Sequence, residues 1–257
     1  MVSRTLLLLI FLTVPAFPAF ASMCIKCHEP HYEKTGSCSV CHRGNEETSR
    51  KNIAHSGMIT KKYADFIINK KAVERGGKTI ENAHCRRCHI TAGKGNNIAP
   101  DLDTESRRKT AETLKEKLTE PTDYMPDFRM SDTVSDETVK YLLNSGGSMK
   151  STSKTAPYVV FITQGKKSAF EDKCGGCHRL LTRKRGGIGH GDTAPNLSGL
   201  FTEFYPTDTI KSEAKKWNRE MLLKWVKNPR RIKPASLMPP VVLTEDEENR
   251  ITEEFNN

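Results

Sequence analysis

The chain has 257 residues, eight of them cysteine and eight histidine, and a formal net charge of +10. Only 36% of its residues are apolar and 28% are charged, so a core built from side chains alone would be thin for this length. That balance excludes a multi-span membrane protein, and the excess of Lys and Arg raises nucleic acid or an anionic surface as partners.

Residues 1–21 read as a Sec-type signal peptide. Arg4 supplies the positive start, Thr5 to Val14 an apolar stretch too short to span a bilayer, and Ala19-Phe20-Ala21 a small-x-small cleavage pattern. The competing readings are an uncleaved anchor and a lipoprotein at Cys24, but Met23 is a poor residue before a lipidated cysteine. The expected location is the bacterial periplasm.

All eight cysteines then fall in one pattern, Cys-x-x-Cys-His, found four times: Cys24–His28, Cys38–His42, Cys85–His89 and Cys174–His178. This is the attachment signature of c-type haem, in which both thiols become thioethers and the adjacent imidazole takes the iron. Zinc thiolate sites and disulfides also use paired cysteines. Neither explains a histidine after every pair. Four covalently bound haem c groups are therefore expected, attached at Cys24, Cys27, Cys38, Cys41, Cys85, Cys88, Cys174 and Cys177. The proximal ligands are His28, His42, His89 and His178. Haem propionates offset most of the positive charge, which argues against nucleic acid and leaves Lys and Arg to steer an acidic redox partner.

The first two motifs lie close together, and residues 22–60 read as a dihaem head whose spare imidazoles are His31 and His55. The third and fourth motifs each own a long following segment, in a repeated order of parts. Ala99-Pro100-Asp101-Leu102 matches Ala194-Pro195-Asn196-Leu197. A helix over Thr110 to Thr119 stops before Pro121; one over Arg219 to Lys227, capped by Asn218, stops at Asn228-Pro229. Met125-Pro126 matches Met238-Pro239. Ser135-Asp136-Glu137 opens one last helix, and a capping box of Thr244 and Glu247 opens the other. Helices are also expected before each motif, near Tyr63 to Val73 or a little later and over Gln164 to Lys173. Ser145 to Ala156 is rich in Ser, Thr, Gly and Lys and reads as a linker, taken as 148–157. Arg183 to Gly191 and Thr202 to Lys216 read as insertions and as surface for contacts specific to this protein.

This order resembles a class I cytochrome c domain, repeated over 61–147 and 158–257. The resemblance implies that Pro100 and Pro195 steady the proximal histidines and that Met125 and Met238 are distal ligands. The head is similar, more loosely, to low-potential multihaem cytochromes of class III type, which implies histidine on both iron faces. The fold class expected is mainly α, a haem-organised dihaem head plus two small all-α domains. His84 and His190 are left over, with His190 a rival of Met238. Met58, Met130 and Met221 read as core filler, Met149 as linker, and Trp217 and Trp225 as packing.

The ligand count closes with four hexacoordinate haems, which favours an electron carrier over an enzyme. The partners expected are a membrane quinol or dehydrogenase donor and a downstream acceptor, with a place peripheral to the inner membrane as one arrangement. The alternatives are a dihaem peroxidase-like or thiosulfate dehydrogenase-like enzyme, since those also carry tandem class I domains, and a cytochrome subunit of a larger complex. Because the porphyrins supply much of the apolar packing surface, the chain made without haem is expected to show no cooperative melt. Calorimetry checks this, and a two-state transition would contradict it.

Overall fold

The computed structural model describes residues 22–59, 62–122, 124–148, 168–207 and 216–256. The expected signal peptide, the linker beyond Ser148 and the first part of the helix expected from Gln164 lie outside the described residues. So does the middle of the expected 202–216 insertion. The chain divides after Ser56 into two compact units.

The first unit holds only short pieces. Single 3-10 turns at Met23–Lys26 and Glu33–Thr35 are followed by helix α1 (Cys38–His42) and helix α2 (Lys51–Ala54), all too short to be stable alone. None of its described residues is buried. Ile25, Tyr32, Val40 and Ile53 stand 49%, 65%, 46% and 46% exposed, which leaves them without a protein core to enter. Hydrogen bonds give the unit its course instead. The Met23 amide donates to the Glu46 carbonyl at 2.8 Å, Ser39 Oγ donates to the Glu46 carboxylate at 2.9 Å, and the Asn45 amide donates to Ala54 at 3.0 Å. Gly44, at φ +73°, passes so near Ala54 that a Cβ would sit 2.3 Å from its carbonyl oxygen.

The second unit begins at Gly57 and carries both longer segments. In order come helix α3 (Lys70–Asn82), strands β1 (Ile90–Thr91) and β2 (Lys94–Gly95), and helices α4 (Leu102–Arg108), α5 (Ala111–Thr119) and α6 (Asp132–Ser148). Then follow helix α7 (Ala169–Lys173), strands β3 (Leu180–Thr182) and β4 (Gly186–Ile188), and helices α8 (Arg219–Lys227), α9 (Pro229–Ile232) and α10 (Glu245–Phe255). The fold is mainly α, as the sequence implies. Each cytochrome-like segment adds one antiparallel hairpin directly after its attachment motif, with Ile90 opposite Gly95 and Leu180 opposite Ile188. Among the described residues no helix is long and apolar enough to cross a membrane.

In the third-motif segment α3 and α6 cross at Gly76, where a Cβ would lie 2.1 Å from the Glu137 carbonyl oxygen and 2.9 Å from Tyr141 Cβ. Arg75 clamps the same crossing with a fork of hydrogen bonds to Glu137 at 2.6–3.0 Å. Leu142 of α6 buries against Ile80 of α3, while Val139 and Leu143 join Ile59, Tyr63, Phe66, Leu114 and Leu118. Ile59 is 1% exposed here, so the unit begins earlier than the 61 read from the sequence. Helix α3 starts at Lys70 behind the cap Asn69, later than Tyr63, because residues Ala64–Ile67 take a separate 3-10 turn. Helix α6 starts at Asp132, not near Ser135, and Ser135 is instead fully buried and bonded back to the Ser131 carbonyl. Its other end runs through Ser145 to Ser148, residues that the sequence suggests are the linker's start. Gly146 is helical because a Cβ would meet Ser106 Oγ and the Asp103 carbonyl of α4.

In the fourth-motif segment α7 packs on α10. Phe170 and Phe255 meet edge to face at 5.7 Å, and the Glu254 carboxylate accepts from the Phe170 amide at 2.9 Å. The capping box of Thr244 and Glu247 is present. The two segments also touch. Arg87 donates to the Asn196 carbonyl at 3.0 Å, Asn196 Nδ2 donates to the Tyr124 carbonyl at 3.0 Å, and Arg87 lies 5.5 Å from the Tyr205 ring centroid. Gly187 of β4 accepts the Tyr124 ring where a Cβ would stand. Residues read from the sequence as insertions thus supply β4 and Tyr205, which face the neighbouring segment.

Two outcomes follow for the haem-loaded protein. Gly76→Ala is expected to cost about 1–3 kcal/mol by overpacking, whereas Gly147→Ala, whose added Cβ meets nothing, is expected to be neutral or stabilising; thermal melts compare them. Burial opposes the charge on Asp136, but hydrogen bonds from Lys62, Tyr63 and Lys115 outweigh it and hold the carboxyl below its usual range. A depressed carboxyl stabilises above its unfolded value of about 3.9 and loses that contribution as pH falls through the folded value. Melting temperature should therefore drop on acidification below about pH 4, and Asp136→Asn should flatten part of that slope.

Candidate functional site

The attachment motifs take similar local forms. In each, the histidine amide bonds back to the first cysteine carbonyl at 3.0 Å where the motif is Cys24, Cys85 or Cys174, so the two thiols and the imidazole leave one tight turn. All eight cysteines are free thiols, so no disulfide is formed. Among the described residues no three His, Cys, Asp or Glu side chains converge. Burial pushes the Cys85, Cys88 and Cys174 thiols each up to about 11, so they are neutral thiols at physiological pH.

The proximal histidines of the second unit are oriented by backbone carbonyls. His89 Nδ1 lies 2.7 Å from the Pro100 oxygen, and His178 Nδ1 lies 2.7 Å from the Pro195 oxygen. A carbonyl only accepts, so Nδ1 carries the proton and Nε2 presents its lone pair to a metal. Burial of His89 lowers its pKa, against the Pro100 carbonyl, and keeps the imidazole neutral as a ligand must be. A glycine stands at the return end of each hairpin, Gly95 as the last residue of β2 and Gly189 just after β4. Gly95 at φ +132° and Gly189 at φ +76° would put a Cβ 2.0 Å and 2.3 Å from the histidine's own carbonyl oxygen.

His178 and Met238 line one apolar cleft with Cys174, Leu197, Leu222, Val226, Leu243 and Phe255. Its wall is apolar, as the walls of cofactor sites are. Thiol, imidazole and thioether thus meet at an apolar cleft, a donor set and lining that fit haem c. When bound there, haem would supply reversible one-electron chemistry at iron; Cys174 and Cys177 would tether it, and His178 and Met238 would hold its iron. Trp225 Nε1 donates to Met238 Sδ at 3.1 Å and packs edge to face on Trp217 at 5.8 Å. Sequence reasoning assigns both tryptophans to packing and misses this bond, which no spacing in the chain announces. His190 is not at the cleft: its side chain is 84% exposed, 3.6 Å from Glu171. For the third motif the geometry fixes the proximal half, while Met125 rests half-buried on the cluster of Tyr63, Phe66, Leu114 and Leu118.

In the first unit the four histidines stand in two pairs. His31 and His42 bring their Nε2 atoms to 3.5 Å with ring centroids 5.7 Å apart. His28 and His55 have centroids 6.0 Å apart. The bare Ile25, Tyr32, Val40 and Ile53 are apolar surface of the kind a porphyrin covers.

In the second unit a helix crossing at Gly76, a hairpin behind each attachment turn and carbonyl-oriented histidines fit a c-type cytochrome. A family model described as "Cytochrome C oxidase, cbb3-type, subunit III" matches residues 71–144, and one described as "Cytochrome c" matches residues 162–253. A curated "Cytochrome c" of Stellaria longipes is 34% identical over 83 residues, covering 28% of this chain and 71% of that protein. The chain belongs to the cytochrome c family. No solved structure matches it. It is an electron-transfer haem protein whose two matched segments imply at least two covalently bound haem c groups.

The Trp225 bond has a measurable consequence. An N–H donor draws density from the thioether, so Trp225→Phe is expected to make Met238 a stronger donor to ferric iron and to lower the potential of that haem. Potentiometric titration reads the shift, and a titration with every centre unchanged would contradict it.

Proposed function

We propose that the protein is a periplasmic tetrahaem cytochrome that carries electrons from a membrane quinol or dehydrogenase donor to a downstream acceptor and performs no bond chemistry itself. The observation that carries this reading is the presence of a potential second ligand opposite a proximal histidine. Met238 shares the cleft of His178, and each head histidine faces another at ring distance. An iron held on both faces passes electrons while leaving substrate no place to coordinate. Met125 takes the distal role at the third haem by the repeat. The four attachment motifs support the count of four, and the leader-like first residues support the periplasm.

The ligand types divide the centres. Imidazole supports ferric iron better than a thioether, so the two head haems titrate low and the two thioether-ligated haems higher. Electrons enter at the head and leave from a thioether-ligated centre. The basic surface, with Arg230, Arg231 and Lys233 around α9 and the exposed Leu237 beside Met238, suits an acidic protein partner better than a nucleic acid.

Mass spectrometry of the mature protein and a potentiometric titration test this together. The expected result is a mass gain of four haems and two well-separated groups of centres. A smaller gain, or four centres titrating together at one low potential, would overturn it. Prompt binding of cyanide or carbon monoxide to the native protein would favour the enzyme instead.

A further inference from the structure

We propose that the two haems of the first unit are ligated crosswise. The haem tethered by Cys24 and Cys27 sits between His28 and His55, and the haem tethered by Cys38 and Cys41 sits between His42 and His31. This rests on the reading that the head carries two haems; it adds which histidine serves which iron, and that the pair is interlocked.

The geometry makes the assignment. A metal–imidazole bond is about 2.0–2.1 Å for zinc and similar for iron, so two axial nitrogens stand ~4 Å apart across a metal. His31 and His42 already place Nε2 opposite Nε2 at 3.5 Å, and their ring centroids are 5.7 Å apart. The His28–His55 centroid distance of 6.0 Å is nearly the same. Each pair thus has the separation that an iron between two imidazoles needs. The His31 ring is turned for this role, because its Nδ1 lies 3.4 Å from the Glu29 carbonyl and so carries the proton.

Chain length excludes the uncrossed alternative for His31. It follows His28 by three residues, a reach of about 10–11 Å at full extension. That is shorter than the path from one axial position around the rim of a porphyrin to the other. His31 therefore cannot serve the iron that His28 holds, but it can serve a neighbour. The same tether limits the separation of the two irons, since adjacent turns of one short segment bind both. Neither haem site is complete without the other's chain segment, and an electron on the ferrous iron of one passes to the ferric iron of the other without leaving the head.

The test uses the full-length, haem-loaded protein and carbon monoxide binding to its reduced form, with haem number fixed by mass. In the four-haem protein, His31→Ala and His55→Ala should each add one carbon monoxide site. In a background carrying Cys38→Ala and Cys41→Ala, which lacks the second haem, His55→Ala should still add one site and His31→Ala none. In the reciprocal Cys24→Ala, Cys27→Ala background the outcomes should exchange. A new site from His31→Ala in the protein lacking the second haem would overturn the assignment. Where neither background accumulates, nuclear Overhauser contacts in the unaltered protein decide. The His31 ring should contact the meso protons of the haem bridged to Cys38 and Cys41, and contacts to the other haem would overturn the proposal. A mass short of four haems defeats the broader reading; the full mass with the reverse pattern defeats only the crossed ligation.

Discussion

A neutral imidazole has one lone pair to give, and the hydrogen bond at its other ring nitrogen decides which nitrogen gives it. Here His89 and His178 each spend Nδ1 on a proline carbonyl at 2.7 Å. Much of the surrounding fold serves that contact. The hairpins return the chain toward Pro100 and Pro195, and Gly95 and Gly189 let it pass over the histidine carbonyl without a side chain in the way. The helix crossings then fix the segment that carries the cysteines. A proline is apt as acceptor because it has no N–H of its own to compete and holds φ fixed, so its carbonyl stays where the ring needs it.

The two units solve the same packing problem differently. The second gathers side-chain cores at α3–α6 and α7–α10, with an apolar cleft lined by Leu, Val and Phe beside His178 and Met238. Among its described residues the first gathers none and leaves Ile25, Tyr32, Val40 and Ile53 bare. In one case side chains form the core around the cleft, and in the other no described side chain is buried. The low apolar content of the whole chain is the average of these two regimes.

Much of the second unit was legible in the sequence because its signals are local. Asn218 and Thr244 cap helices marked also by a following proline or an acidic first turn, and both caps are present. The attachment motif, the Ala-Pro-x-Leu repeat and the Met-Pro pairs lie in the spacing itself. What was not legible depends on other parts of the chain. Gly146 and Ser145 look like linker by composition but are small because α4 comes close. Arg183 to Gly191 looks like a basic insertion, yet it turns a hairpin that the third motif also has with a shorter turn. Trp225 reads as bulk until its indole nitrogen is seen at a sulfur thirteen residues away. Such features are set by tertiary proximity, which periodicity does not encode.

Covalent attachment and iron binding specify the two cysteines and the histidine of each motif but leave the two residues between the cysteines open. This chain uses those free positions unequally. Gly175 is small because a Cβ would press on Glu171 and Gly189, and Arg86 is buried where it reaches the Thr91 carbonyl and the Tyr141 hydroxyl. Arg87 points outward instead, to Asn196 and Tyr205 of the neighbouring segment. Identity between otherwise equivalent motifs can thus be written inside the motif, at no cost to the chemistry it serves. A copy moved to another address in the chain would still take its pigment but would lose its neighbour.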